Sequence, residues 1–178
     1  MIEHSTWPIV LKRESVKEKD DDYTLFTWHL GKVRARTAST RKITSKLAGH
    51  LEPGTIGQVR MVQRSLESPL RLVEALSEAK TKDLQAIRVL EFAEKITPFH
   101  EEDHALFITL KRAVIDGVDE RSGFRKILAL SGFDPKCASC DWCGSKKIAY
   151  FLPDDIIFLC KQCFEKRKNM VSDGNGRQ

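Results

Sequence analysis

The feature that most constrains this chain is a set of four cysteines near its C-terminal end. Two residues separate Cys140 from Cys143 and Cys160 from Cys163, and sixteen residues lie between the two pairs. This spacing lets both thiolates of a pair bind one metal ion, and the insert is long enough for a hairpin that brings the pairs together. The sequence therefore predicts one structural zinc ion held by these four cysteines in a zinc ribbon.

The residues around the cysteines support a ribbon. Gly144 follows the first pair and suits the tight turn that a zinc knuckle needs. The runs 148–151 and 156–159 are rich in β-branched and aromatic residues, and Pro153-Asp154-Asp155 between them is typical of a turn. We expect a two-stranded hairpin between the knuckles.

The fifth cysteine, Cys137, leaves an alternative, because Cys137 and Cys140 also have the spacing of a pair. Gly144 favours Cys140 with Cys143 and makes Cys137 a spare thiol. An iron–sulfur cluster on residues 137–143 lacks the expected fourth Cys-Pro. Disulfides are disfavoured because no charged and then apolar leader precedes Trp7, and in a reducing cytosol clustered cysteines are more often metal ligands.

The overall composition indicates a soluble cytoplasmic protein. The chain has 178 residues, 41% of them hydrophobic, and a formal net charge of +5. No apolar run approaches the roughly 18 residues needed to span a membrane. The positive charge is concentrated in residues 32–64, which contain eight Lys or Arg against one acidic residue.

The basic segment begins with an alternating strand. Lys32, Arg34 and Arg36 should share one face, while Val33 and Ala35 face the core. The polar stretch that follows contributes three further cations, Arg41, Lys42 and Lys46. We expect these six residues to bind the phosphates of DNA. A solvated sheet face without a ligand is the alternative.

Short strands surround the basic segment and predict the fold of residues 1–79. They are predicted at 7–11, 23–28, 32–36, 58–62 and 70–73, with turns at Gly31 and Pro53-Gly54. Five strands without a long helix indicate a small barrel, and the OB-fold is the natural candidate.

Barrels of this type often hold single-stranded nucleic acid on aromatic faces. The aromatic residues available are Trp7, Tyr23, Phe26 and Trp28. Aromatic side chains in small barrels are more often core residues, and Trp28 is the strongest candidate for stacking on a base.

The apolar period changes to that of helices in residues 80–178. Helices are predicted at 82–96, 101–115 and 120–130, ended by Thr97-Pro98, Gly117 and Gly132. The predicted helical domain, residues 80–178, contains the zinc ribbon at 137–163 and a disordered tail at about 170–178. The fold class is therefore α+β.

The segment His100-Glu101-Glu102-Asp103-His104 matches the His-Glu-x-x-His pattern of zinc peptidases. An acid-rich first turn after Pro98 has a simpler explanation, because acidic residues suit the positive end of a helix. A peptidase also needs a third ligand and a cleft. We interpret the segment as an exposed helix start, and an enzyme is the third of our alternatives.

Several segments, in order along the chain, resemble the RecO family of bacterial recombination mediators. They are Ile9–Arg13, Thr24–Thr27, Gly31–Val33, Arg41–Lys42, Ser45–Pro53, Leu128–Phe133 and the four cysteines. The resemblance implies an N-terminal OB-fold, a helical domain, a structural zinc site and a non-enzymatic activity. It also implies binding of single- and double-stranded DNA, strand annealing and, with RecR, helping RecA replace single-strand-binding protein. Such a protein would act at the bacterial nucleoid.

The chain departs from the family at three places. Ala38-Ser39 stands where Lys-Gly is frequent, and Asp154-Asp155 replaces a glycine-rich turn. Only fifteen residues follow Cys163, where relatives continue with further helices, so we expect a reduced helical domain. The second functional alternative is a zinc-ribbon adaptor whose helices bind a protein partner.

Overall fold

The computed structural model describes residues 1–17, 20–37, 47 and 49–174. The chain divides into two compact units, Met1–Ile127 and Leu128–Gln178, and each is described by itself. The predicted domain boundary between residues 79 and 80 separates strands from helices within the first unit and stays a prediction.

Six strands form the sheet of the first unit, one more than predicted. They are β1 (Ile2–Thr6), β2 (Ile9–Lys17), β3 (Asp20–Thr27), β4 (Gly31–Thr37), β5 (Thr55–Gln63) and β6 (Leu70–Lys80). The first predicted strand starts at Ile9 and not at Trp7, and β6 continues well beyond Val73. The additional strand β1 has a largely polar sequence and pairs with β5 alone.

Five of these strands close into a barrel in the order β2-β3-β4-β6-β5. The pairing of β4 with β6 is parallel, with Ala35 opposite Leu70, whereas the other pairings are antiparallel. The contact of Ile9 with Ile56 completes the ring. The predicted five-stranded barrel of the OB type is confirmed.

The barrel interior contains the apolar residues of the alternating strands. Val33 and Ala35 of β4 are buried there, as predicted, beside Tyr23 and Leu25 of β3. Burial raises the pKa of the Tyr23 phenol to about 12. Apolar burial of this kind contributes about 25 cal/mol per Å² and is the main force that holds the barrel together.

Three helices follow the barrel: α1 (Leu84–Ile96), α2 (His104–Asp116) and α3 (Glu120–Leu130). Asp83 caps α1 by accepting a hydrogen bond from the Gln85 N–H at 3.0 Å. Asp103 caps α2 in the same way, accepting from the Leu106 N–H at 2.8 Å. Because Asp103 is the cap, α2 starts at His104 and not at Glu101 as predicted, whereas α3 has its predicted bounds.

The position of Lys32 differs from the expectation that it lies on an exposed cationic strand face. Its side chain reaches the end of α1, where Nζ donates a hydrogen bond to the Glu94 carbonyl at 2.6 Å. Nζ also lies 4.3 Å from the ring centroid of Phe99, and the residue is only 3% exposed. Burial lowers the pKa of Lys32. Lys32 therefore caps the negative end of a helix, and its ammonium group is not available on the barrel surface.

The second unit contains the hairpin of β7 (Tyr150–Leu152) and β8 (Ile157–Leu159), followed by α4 (Lys161–Gly174). The hairpin was predicted, and α4 was not. The helix reaches Gly174, residues 175–178 lie outside the described part, and the disordered tail at about 170–178 stays a prediction. None of the described helices is long and apolar enough to cross a bilayer.

We predict that Lys32→Met lowers the free energy of unfolding by about 1 to 2 kcal/mol, because the Glu94 carbonyl loses its charged donor while the apolar stem is kept. Urea unfolding of the purified protein measures this. Arg34→Met on the same strand is the matched control and should change stability by less than about 0.5 kcal/mol. Equal stabilities of the two variants would contradict the capping role.

Candidate metal centre and cationic barrel face

Four cysteines of the second unit converge as the sequence predicted. The Sγ atoms of Cys140, Cys143, Cys160 and Cys163 all lie within 4.8 Å of one another. The Sγ atoms of Cys143 and Cys160 are 3.7 Å apart, close to the separation of about 3.8 Å that Zn–S bonds of about 2.3 Å give in a tetrahedron. A disulfide would need a distance of about 2.05 Å between the two sulfur atoms. The cluster could therefore bind one tetrahedral metal ion.

The first cysteine pair lies on a tight turn. Gly144 has the positive φ of +70° that its sequence position suggested. Its N–H donates to the Cys140 carbonyl at 2.8 Å, and the Cys140 N–H donates to the Ser145 carbonyl at 2.8 Å. These two hydrogen bonds fold residues 140–145 back so that both thiols face the same side.

The second pair is placed by the junction of β8 with α4. Cys160 directly follows β8, and its carbonyl accepts from the Phe164 N–H at 3.0 Å in the first turn of α4. Asp141 connects the two pairs, since its N–H donates to the Phe158 carbonyl at 2.9 Å. Its carboxylate accepts from the Phe158 N–H at 2.6 Å.

The acidic turn between β7 and β8, which is unusual for the RecO family that the sequence resembles, forms an ion pair with α4. Asp155 forms a 2.5 Å ion pair with Arg167. The rings of Tyr150 and Phe164 stack with centroids 3.9 Å apart, which packs the hairpin on the same helix. Ile156 has a φ of +55° and belongs to the turn, so β8 begins one residue later than the predicted run.

The pKa values of two thiols in the cluster are shifted in opposite directions. Burial opposes ionisation of Cys140, but hydrogen bonds from backbone N–H groups, including those of Cys160 and Cys143, outweigh it and lower its pKa to about 6. Burial and the neighbouring cysteines raise the pKa of Cys163 to about 12. Four thiolates are compatible only when a divalent ion offsets their charge, and metal binding then releases protons.

Cys137 does not join the cluster within the described residues. It is exposed, while three of the four clustered cysteines are buried. Of the two pairings that the spacing allowed, the structure brings Cys143 rather than Cys137 to the other thiols.

Two of the predicted DNA-binding residues lie on the outer surface of the barrel. The side chains of Arg34 and Arg36 are 55% and 45% exposed. Strand pairing places two further cations beside these arginines, and sequence reasoning missed both. Lys12 of β2 is opposite Thr24 of β3, which is in turn opposite Arg34 of β4. Arg71 of β6 is opposite Arg36. We call Lys12, Arg34, Arg36 and Arg71 the cationic face.

Acidic residues partly neutralise the cationic face. Asp22 accepts two hydrogen bonds from Arg36, at 2.6 and 2.9 Å, and this pairing lowers the pKa of its carboxyl. Glu14 lies 2.8 Å from Lys12 and 4.0 Å from Arg34. Arg34 thus has the looser of these ion pairs. The other predicted contacts, Arg41, Lys42 and Lys46, lie outside the described residues.

The aromatic residues proposed for base stacking differ in exposure. Tyr23 and Phe26 are buried in the core. Trp28 is already stacked on His104, with centroids 4.2 Å apart, and meets the edge of Phe107 at 5.3 Å. Trp7 is 45% exposed and lines a pocket of ≈ 370 Å³. Trp7, rather than Trp28, is therefore the more accessible ring.

The His-Glu-x-x-His segment does not have the geometry of a zinc peptidase. Glu101, Glu102 and Asp103 precede α2, and His100 has a φ of +63°. The peptidase pattern needs both histidines on one helix, one turn apart. Only His104 is helical, so the largely exposed segment supplies the cap and the first residue of α2 rather than its whole first turn.

A closed five-stranded barrel of the OB type, helices and a four-cysteine cluster define a small α+β protein with a candidate structural metal centre. Comparison with known proteins adds similarity to one group of curated proteins.

The chain is 28% identical over 180 residues to the DNA repair protein RecO of Desulforudis audaxviator, a match covering 93% of this chain and 72% of that protein. It is 25% identical to the DNA repair protein RecO of Dehalococcoides mccartyi strain 195, over 89% of this chain and 69% of that protein. The DNA repair protein RecO of Caldanaerobacter subterraneus is 26% identical, over 92% of this chain and 72% of that protein. No family model matches the chain. These matches show that the chain is similar to DNA repair proteins named RecO over about nine tenths of its length, and the barrel and the cysteine cluster agree with the resemblance found in the sequence.

We predict one metal ion per chain in the purified protein, measured by elemental analysis after gel filtration. Cys160→Ser should lose the ion and unfold or aggregate the second unit, because a buried ligand is replaced by a hydroxyl that binds zinc poorly. Cys137→Ser is the matched control and should keep the full metal content. A normally folded, metal-free Cys160→Ser protein would contradict a structural role.

Proposed function

We propose that the protein is a recombination mediator of the RecO type, which binds single- and double-stranded DNA, anneals complementary strands and assists RecA loading together with RecR. The observation that carries the proposal is the similarity to DNA repair proteins named RecO over about nine tenths of the chain, together with the closed barrel. No reacting group is needed for these activities, since charge neutralisation and strand positioning suffice. The proposed place of action is the cytoplasm, on the bacterial nucleoid.

The proposed DNA contacts are exposed cations of the barrel together with the basic residues of the polar stretch that follows it in sequence. Arg34 is the leading residue, because its side chain is exposed and its carboxylate neighbour is 4.0 Å away. Arg36 lies beside it, and Arg41, Lys42 and Lys46 follow in sequence. Lys32 is excluded by its burial against α1. A surface that neutralises two strands at once lowers their mutual repulsion, which favours annealing.

The proposed metal is one structural zinc ion in the four-cysteine cluster. Four thiolates in tetrahedral arrangement are typical of closed zinc sites, in which no position is left for a reacting water. Structural zinc in small domains contributes about 10 kcal/mol or more of binding free energy, comparable with the whole stability of a typical domain. Zinc would therefore determine whether the second unit folds.

One observation favours the alternative of a protein adaptor. Asp22 and Glu14 partly neutralise the cationic face, and a surface with paired charges suits a protein partner as well as DNA. An adaptor would keep its function when the cationic residues are neutralised. Proposed protein partners in either case are RecR, RecA and single-strand-binding protein.

We predict salt-dependent binding of a labelled single-stranded oligonucleotide, measured by fluorescence anisotropy. If about four phosphates are contacted, log K against log salt should have a slope of roughly −3. Replacing Arg34, Arg41 and Lys42 by glutamine should weaken binding about tenfold or more at low salt and reduce the slope.

The matched control removes the same charge elsewhere, by glutamine at Lys80, Lys82 and Lys126, which are exposed. It should bind nearly as well as the unaltered protein. Equal losses in both triple variants would show that net charge alone matters, and binding that is indifferent to salt and to both variants would contradict the proposal in favour of an adaptor.

A further inference from the structure

A second group of metal-ligating side chains lies in the first unit, apart from the cysteines. His29 is in the turn between β3 and β4, Glu102 precedes α2, and His104 is the first residue of that helix. One ligand atom from each lies within 4.8 Å of the other two. Glu102 and His104 belong to the His-Glu-x-x-His segment, but the third member is the distant His29 and not His100.

The two backbone segments that carry these side chains are fixed against each other. The His100 N–H donates to the Lys32 carbonyl at 2.9 Å, directly beside the β3–β4 turn. Gly31 packs so closely on the Glu101 backbone that a Cβ at this position would be 1.9 Å from the Glu101 oxygen. The turn and the segment before α2 therefore hold a defined separation that does not depend on the three side chains.

Aromatic contacts orient the two imidazoles. The His104 ring stacks on the indole of Trp28, with centroids 4.2 Å apart and an interplanar angle of 14°. The His29 ring meets the His104 ring edge-on, at 6.3 Å and 89°. The ligand nitrogens can thus approach a common point without the rings colliding.

The chemistry of the three groups matches one class of ligand. Two imidazoles and a carboxylate are typical ligands for zinc and neighbouring divalent transition metals. Ligands about 2.0 to 2.1 Å from a tetrahedral ion lie about 3.3 Å apart, so small rotations of these exposed side chains would close the present spacing. Glu101 and Asp103 add negative charge beside the site, and the Asp103 carboxylate already offsets the positive end of α2 by capping it.

We propose that His29, Glu102 and His104 form a second metal site, which binds a divalent transition-metal ion, zinc foremost. The ion joins the β3–β4 turn to the start of α2 and leaves a fourth coordination position for water or a ligand from outside. Because the three residues are exposed, binding is reversible and weaker than at the four-cysteine cluster, in which three of the ligands are buried.

The test is calorimetric titration of zinc into full-length protein whose cysteine cluster is already zinc-loaded and whose loosely bound metal has been removed. The unaltered protein should bind one further zinc ion per chain. His29→Ala, and separately His104→Phe, should weaken that binding about tenfold or more, since losing a direct ligand costs at least as much as losing a supporting contact. Phenylalanine keeps the stacking on Trp28, so the helix start is preserved.

His100→Asn is the matched control, because it removes a neighbouring exposed imidazole at a position whose positive φ asparagine tolerates. It should bind the second zinc ion as the unaltered protein does. Absence of a second equivalent in the unaltered protein, retained binding in either ligand variant, or an equal loss in His100→Asn would each overturn the proposal. Unchanged circular dichroism and urea unfolding verify that the first unit of every variant is folded, and unchanged zinc content verifies the same for the cysteine cluster.

Discussion

Closure of the barrel through the parallel pairing of β4 with β6 is the constraint on which the first unit depends. Once the ring is closed, Val33 and Ala35 must face inward, and Arg34 between them must face outward. The helices then cover one end of this outer surface, where Lys32 meets the C-terminal end of α1. The same strand therefore supplies a buried helix cap at one end and exposed arginines at the other.

The second unit differs from the barrel in having only a small apolar core. A segment of this size buries too little apolar surface to be stable on its own, and small domains commonly need a metal or disulfides. Its buried cluster consists of Cys140, Leu159, Cys160 and Cys163, so three of its four members are the predicted ligands. The cysteines therefore form both the core of this unit and its candidate metal site. Hydrogen bonds between Asp141 of the first knuckle and Phe158 of the hairpin hold these two parts together.

Local patterns predicted much of this structure. Runs of strand-forming residues, one of them with period-two alternation, identified five barrel strands. The spacing of four cysteines identified the cluster, and Glu120–Leu130 is helical as predicted. The family resemblance was carried by short segments that also agree with the barrel. These features are local because backbone periodicity and ligand spacing are set by near neighbours in the chain.

The features that were missed depend on residues far apart in sequence. Strand β1 is too polar for its pattern to be recognised and needs β5 as its partner. The burial of Lys32 depends on Glu94, which is 62 residues away. Asp155 is explained only by its pairing with Arg167 in a helix that the sequence did not predict. Charge patterns identify cations, but tertiary packing decides which of them reach solvent.

Hydrogen exchange with and without a single-stranded oligonucleotide tests the central proposal most directly, namely that this protein holds DNA on its barrel. We expect slower exchange in β4 and residues 38–46, with little change in the hairpin of the second unit. Slower exchange confined to the helices and the hairpin, or no change anywhere at saturating oligonucleotide, would contradict this account.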